Sequence, residues 1–539
     1  MKKDRETIDE YAKKVMIEVS ADILKKKGLD KTEENSVKSD DNIADKYSIV
    51  CFNSACVEVK IIKKGRHIIY DLKVPKVDIA TKALLEEIRN ELITTTTVGM
   101  NEIMDINALE EIRNRFLKEA TDLLNKKVPT ISDNTRAILI NKLLQDMLGL
   151  GEIEFLISDN NLEEIVIPSA KEPIRVYHKK HGWLSTTLQI GREDEIINYC
   201  NIIARRVGRQ ITVLNPLLDA HLSSGDRINS ILYPISTKGN TITIRRFARD
   251  PYTMIDLIDN KTLDVDIAIL LWLAVEYEMN VIVSGGTASG KTVILNACMP
   301  FIPPNHRIIS VEDTRELMLP DFLYWTPLVT RSPNAEGKGE VDMLDLLVSS
   351  LRMRPDRIVL GEMRREKEAM VMFEAMHTGH SVYATMHANS ATETISRLTN
   401  PPLNVPINLL NAVNLNVVMF RDRRKGIRRA LQVAEFSAQD GRADATVLYR
   451  WIADEDRIVR HAESSKFFED ITKNTGMTTE ELEENLLEKK RILEWLLKNK
   501  IRNLTSFGRV MNLYYSDKET LHKQIKTNNV EFFSREKEG

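Results

Sequence analysis

The segment Gly285-Gly286-Thr287-Ala288-Ser289-Gly290-Lys291-Thr292 constrains this 539-residue chain more than any other. It follows a short apolar run, Asn280-Val281-Ile282-Val283-Ser284, and leads into Thr292-Val293-Ile294-Leu295-Asn296-Ala297, which continues at helical spacing. Strand, glycine loop and helix in that order form the setting in which a phosphate-binding loop works. Backbone N–H groups of Gly286 to Lys291 can turn inward at phosphate oxygens only where Gly285 and Gly290 permit tight geometry, and the helix dipole adds positive potential there. Lys291 is placed to neutralise β- and γ-phosphates, and the Thr292 hydroxyl to hold Mg²⁺. The eight residues are therefore candidate ligands of ATP, with Thr292 also a metal ligand.

Phosphoryl transfer further needs a group to orient water and a group to hold the metal, and three strand ends downstream offer both. Ile308-Ile309-Ser310-Val311 runs into Glu312-Asp313-Thr314-Arg315-Glu316, three carboxylates and an arginine where ligands of parallel sheets collect. Arg357-Ile358-Val359-Leu360 ends in Gly361-Glu362, the expected place of a second, metal-holding acid. Ser381-Val382-Tyr383-Ala384-Thr385 lies between His380 and His387.

Glycine loop, acidic box, second acid and paired histidines, in this order, resemble the type II/type IV secretion ATPase superfamily. Its members are hexameric motors of secretion, pilus assembly and the archaellum. The matching stretches are Gly285 to Thr292, Val311 to Leu317, Leu351 to Glu362, and Thr378-Gly379-His380 through Thr385-Met386-His387-Ala388-Asn389. Upstream, Gly149 to Glu154, Asp159 to Val166, Gly225-Asp226-Arg227-Ile228-Asn229 and Thr243-Ile244-Arg245 are similar to the family's N-terminal domain, so the resemblance covers roughly 150 to 435.

The resemblance implies that Glu316, or less readily Glu312, orients or deprotonates the attacking water, and that Glu362 holds the Mg²⁺ shell. His380 and His387 would sense the γ-phosphate. Arg227 and Arg245 of the preceding domain, with Arg352 or Arg354 of a neighbouring subunit, would bring charge to the transition state; each is equally readable as a surface ion pair. It also implies an α/β fold: a RecA-like P-loop ATPase domain preceded by an α+β, PAS-like domain, with a helical and β N-terminal extension and a helical C-terminal tail. The implied assembly is a homo-hexamer on a polytopic membrane platform protein. Two departures, the lack of a tetracysteine module and Thr314 where bacterial secretion members carry proline, favour an archaeal-type pilus, secretion or archaellum motor.

Composition narrows the alternatives. With 76 Lys plus Arg against 79 Asp plus Glu, no basic field advertises nucleic acid, which disfavours a RecA-like nucleic-acid translocase. Intact Lys291, Glu316 and Glu362 disfavour a nucleotide-gated structural component without turnover. The best apolar stretch, Ala268 to Val275, is broken by Glu276 and falls short of a bilayer span. The start Met1-Lys2-Lys3-Asp4-Arg5 does not read as a signal peptide, so a cytoplasmic protein held at the inner face of the membrane through its partner is expected. Four cysteines give no disulfide framework; Cys51 and Cys56 are candidates to share a metal, the plainer reading being reduced thiols near cores.

The expected order of parts is a mobile charged arm at 1–45, a small β unit plus helices at 46–149, and an α+β domain at 150–250. A linker at 251–262 leads to the ATPase domain at 263–460. A helical extension follows at 461–539, its capping box at Thr478-Thr479-Glu480-Glu481 opening a run through Leu482, Leu486, Leu493 and Leu497.

Overall fold

The computed structural model describes residues 43–534 apart from 52–54, 66, 74–78, 96–105, 223–224, 248–250, 334–336 and 465. The expected arm up to residue 42 and the side chains of Cys51 and Cys56 lie outside the described residues. The chain divides into two compact units, one ending at Phe247 and the other beginning at Ala248.

The first unit opens with three antiparallel strands, β1 (Ile43–Cys51), β2 (Ala55–Lys64) and β3 (His67–Leu72). Helices α1 (Ile79–Thr95), α2 (Ile106–Lys127) and α3 (Asp133–Leu148) share a core of Leu85, Ile88, Leu92, Phe116, Leu124 and Leu143, the helical repeat legible in the sequence. Then come α4 (Ile153–Ser158), β4 (Leu162–Ile167), β5 (Arg175–His178), β6 (Gly182–Thr186) and α5 (Glu193–Arg206). Strands β7 (Leu217–His221), β8 (Arg227–Ile231) and β9 (Thr241–Arg245) complete the unit.

All nine strands form one sheet in the order β1-β2-β3-β6-β5-β4-β9-β8-β7. The joint is a short parallel pairing, Ile69 opposite Ser185 and Tyr70 opposite Thr186. Tyr47 and Tyr70 both donate to Asp159 Oδ2, each at 2.7 Å, and Asp159 is buried. The boundary expected at residue 149 thus runs through a continuous sheet. Pairing between strands more than 100 residues apart leaves no mark on local pattern.

The second unit begins with α6 (Met254–Asp259) and α7 (Val265–Glu276). Residues 251–262, expected as a linker, instead hold α6, whose Met254, Ile255 and Leu257 are buried in the core. The Thr253 N–H donates to the Asp256 carboxylate at 2.9 Å and fixes the helix start. Next come β10 (Val281–Gly285), α8 (Lys291–Cys298), β11 (Arg307–Glu312), β12 (Tyr324–Val329), α9 (Met343–Ser350) and β13 (Arg357–Leu360). After α10 (Glu366–His377), β14 (Ser381–Met386) and α11 (Ala391–Thr399) the chain returns through β15 (Leu415–Asp422), β16 (Ile427–Gln439), β17 (Arg442–Ile452) and β18 (Arg457–Arg460).

The second sheet has the order β12-β11-β13-β14-β10-β15-β16-β17-β18, parallel as far as β15 and antiparallel beyond. Val281 and Val283 point into the core on one face and Ile282 into that on the other, the alternation of a strand covered on both sides. Helices α12 (Phe467–Thr475), α13 (Thr479–Lys498), α14 (Leu504–Ser516), α15 (Lys518–Lys526) and α16 (Glu531–Ser534) close the chain. Thr478 and Glu481 exchange the expected reciprocal caps at 3.2 and 2.9 Å. These helices pack into the same core as α7 and α8.

Candidate functional site

The glycine loop joins β10, in the middle of the second sheet, to the first turn of α8. A Cβ on Gly285 would lie 2.5 Å from Ser289 Oγ and 2.6 Å from the Met419 carbonyl, so only glycine fits. Gly290, at φ +97°, turns the chain into α8. The Ser289 hydroxyl donates to the Gly286 carbonyl at 2.8 Å and closes the loop. Beneath it, Asn416 donates to Ile282 O at 3.0 Å and Ser284 Oγ at 3.1 Å, while Thr394 donates to Ser284 Oγ at 3.0 Å. Buried, hydrogen-bonded groups of this kind rigidify the support of the loop.

Strand order explains what meets Lys291. β14 lies between β10 and β13, so the residue leaving β14, His387, falls between Lys291 and the residue leaving β13, Glu362. Lys291 Nζ donates to the carbonyls of Gly285 and Gly286 at 3.2 Å and stands 3.4 Å from His387 Nδ1. His387 Nε2 is 2.8 Å from Glu362 Oε1. Arg364 bridges Glu362 and Asp313 with two contacts of 2.6 Å. With the ammonium facing Nδ1, the imidazole proton sits on Nε2 and is donated to Glu362. Burial first, and the Lys291 charge second, hold the His387 pKa below its usual value, which keeps this neutral form.

The two glutamates of the acidic box differ in kind. Glu312, the last residue of β11, is buried, and its Oε1 accepts from the N–H groups of Glu316 at 2.9 Å and Leu317 at 3.1 Å. Burial pushes its carboxyl up to about 7, against the pull of those two hydrogen bonds. Glu316 is half-buried and is carried on the loop that Glu312 ties down. Glu312 therefore holds the loop in place, and Glu316 is the less buried of the two carboxylates.

His380 is not part of this arrangement. It precedes β14, next to Val382, whose N–H donates to Asn280 at the beginning of β10, and its Nδ1 lies 3.3 Å from the Ala375 carbonyl. The six residues of β14 separate it from His387, roughly 20 Å of extended chain. His380 thus sits at the opposite sheet edge from the phosphate loop and cannot sense a γ-phosphate held by its own chain. Arg352 and Arg354, exposed in the turn before β13, share that far edge. In the first unit, Arg227 and Arg245 are exposed cross-strand neighbours, and Arg227 grips the Asp219 carboxylate at 3.1 and 2.6 Å.

Three further side chains stand at the site, two of them without a local signature. Arg364 follows Glu362 by two positions, and that spacing was a usable signal. Arg428 on β16 donates to Ala288 O at 3.1 Å from 140 residues away. Asn389 places Oδ1 3.3 Å from where a Cβ on Gly286 would be. No cluster of three metal-ligating side chains occurs among the described residues. Mg²⁺ on a nucleotide needs only one or two protein oxygens beside phosphate and water, so it does not require such a cluster; the Thr292 hydroxyl and the Glu362 carboxylate are the candidates that would supply them.

Comparison with known proteins shows the family of the chain. A model of the Type II/IV secretion system protein family matches residues 158–437. Two uncharacterized proteins of Methanocaldococcus jannaschii are 38% and 37% identical over 371 and 355 residues, 67% and 64% of this chain. The alignments span 66% and 47% of those relatives' own length. The type IV secretion system protein VirB11 of Bartonella henselae is 29% identical over 313 residues, 51% of this chain and 84% of VirB11. The X-ray structure of the Legionella pneumophila ATPase DotB superposes with a TM-score of 0.40 at 19% identity, covering 72% of this chain and 96% of that one. With the family match spanning both the strands that carry Arg227 and Arg245 and the parallel strands around the phosphate loop, the chain belongs to the Type II/IV secretion system protein family.

Proposed function

We infer that this chain is an ATP-hydrolysing motor subunit of a secretion, pilus or archaellum assembly system. The observation that carries the reading is the unbroken line Lys291, His387, Glu362, Arg364, Asp313 at the strand ends beside the glycine loop. A glycine turn of purely structural use has no need of it. We read the second unit as RecA-like and residues 150–250 as the PAS-like domain of the family.

In this reading the loop N–H groups and Lys291 bind the β- and γ-phosphates. Thr292 and Glu362 hold Mg²⁺, which neutralises charge on the phosphate oxygens. Glu316 accepts a proton from water as its oxygen attacks the γ-phosphorus and ADP departs. Neutral His387 relates the state of Lys291 to that of Glu362. The working form is a homo-hexamer in the cytoplasm, docked on a polytopic membrane platform protein, with Arg227 and Arg245 brought to and from the nucleotide by motion between units. His380, Arg352 and Arg354 are then candidates to act on a neighbouring subunit's site.

Glu316→Gln tests the assignment. Nucleotide binding should persist while kcat falls about 10²-fold, the scale of a lost general base. Unchanged turnover would remove Glu316 from its role. Turnover that appears only with DNA would favour a translocase, and tight ATP binding without turnover in the unaltered chain a structural component.

A further inference from the structure

Helix α14 lies outside the segment matched by the family model, yet it grips two segments that lead directly to the site. One is the turn Met299–Phe301 at the end of α8, the helix whose first residue is Lys291. There Phe507 meets Phe301 edge-on with ring centroids 5.9 Å apart, and the Tyr515 hydroxyl donates to the Phe301 carbonyl. The other is the strap 317–323, which begins immediately after Glu316. Leu317, Leu319 and Leu323 are buried in one core with Phe507, Val510 and Met511.

The closest approach is at Gly508. A Cβ there would lie 2.7 Å from Pro320 Cβ and 3.5 Å from Phe322 Cε1. The strap has little room to yield, because proline fixes its own φ, the leucines anchor it, and the Met318 N–H donates to Asn296 of α8 at 2.9 Å. A push on Pro320 therefore travels toward Glu316, four residues upstream.

We propose that α14 is a positioning element of the site: through Gly508 against Pro320 it sets where the strap holds Glu316 relative to the phosphate helix. This rests on the ATPase reading of the site. Displacing a reacting group by about 1 Å can cost about 10²-fold in rate while leaving ground-state binding intact. Gly508 is a positioning residue, since it acts only through the strap.

The test uses the full chain and compares Gly508→Ala, Pro320→Gly, their combination, Phe322→Ala and Leu521→Ala, with kcat, ATP KM and thermal midpoint measured for each. Gly508→Ala should lower kcat about tenfold or more with KM changed less than threefold. The same change on the Pro320→Gly background should cost far less, because the overlap is gone. Phe322→Ala, which loosens the contact from the strap's side, should lower kcat as well and covers the case in which Gly508→Ala does not fold. Leu521→Ala removes a buried side chain of α15, outside the Gly508–Pro320 contact, and should lower the thermal midpoint without the kcat effect. The proposal is overturned if Gly508→Ala and Phe322→Ala both keep kcat within twofold, or if Leu521→Ala lowers it equally at a matched midpoint. An unaltered chain without turnover would sink the ATPase reading alone. Positioning would then be judged by the ¹⁹F resonance of fluorinated Trp325, whose ring lies 5.0 Å from the Arg315 guanidinium of the acidic box. That resonance should move in Gly508→Ala and stay put in Leu521→Ala, and a fixed resonance in Gly508→Ala would overturn the proposal.

Discussion

Replacing Glu312 with glutamine separates the charge of that side chain from its shape. Glutamine keeps an oxygen where Oε1 accepts the N–H groups of Glu316 and Leu317, so the loop remains tied. What changes is ionisation. In the unfolded chain the carboxyl titrates near its ordinary 4.5, and in the folded chain burial raises it to about 7. Below pH 4.5 both states carry the proton, and the raised pKa costs nothing. As pH climbs through 7 the folded state must hold an anion away from water, and the favourable difference is lost. At 1.36 kcal/mol for each tenfold change in acidity, the rise from 4.5 to about 7 corresponds to roughly 3 kcal/mol. Glu312→Gln should therefore match the unaltered chain near pH 4 and gain up to roughly 3 kcal/mol on it by pH 8, a midpoint difference of roughly 6–12 °C for a unit of this size. Thermal melts across that range provide the assay, with turnover at pH 8 measured in parallel and expected to stay within a few-fold. A stability difference independent of pH between 5 and 8 would refute the buried-acid argument. Loss of turnover in Glu312→Gln with none in Glu316→Gln would reverse the roles of the two acids.

Two further outcomes follow from named contacts. Lys489 is fully buried, 2.6 Å from Glu276, and Lys489→Met leaves that carboxylate without its cation, which should cost about 3–5 kcal/mol by chemical denaturation, most of it recovered when Glu276→Gln is added. Subunits carrying Lys291→Ala, mixed with Arg227→Ala/Arg245→Ala subunits after each is shown inactive alone, should regain ATPase activity if arginines act across a ring; no recovery in demonstrably mixed rings would count against sharing.

The site's own strands were legible because each ends in chemistry that strands do not need: Glu312 after Ile308 to Val311, Glu362 after Arg357 to Leu360, and His387 after Ser381 to Thr385. The capping box at Thr478 was legible for the same reason, since a cap is a local hydrogen bond written in adjacent residues. Sequence order alone did not separate His380 from His387. Both flank one strand, and only the direction of β14 in the sheet decides which one reaches Lys291. Arg428 arrives on an antiparallel strand after a long excursion and carries no local signature. The run 251–262 looked like a linker because Pro251 and polar residues dominate it, and six residues are too few for helical periodicity to show. The docking of α14 on the strap was equally silent, since it depends on a glycine and a proline that each read as ordinary local punctuation.

Phosphate release from ATP and Mg²⁺ by the purified chain, set beside its Lys291→Ala variant, tests the central claim most directly. Lys291 is half-buried, and its ammonium lies against the loop carbonyls and His387 at the phosphate loop, so alanine removes charge at the phosphates rather than core packing. The account predicts steady release by the unaltered chain and none above background from the variant, with superimposable thermal melts. Near-normal release by a folded Lys291→Ala chain would contradict it.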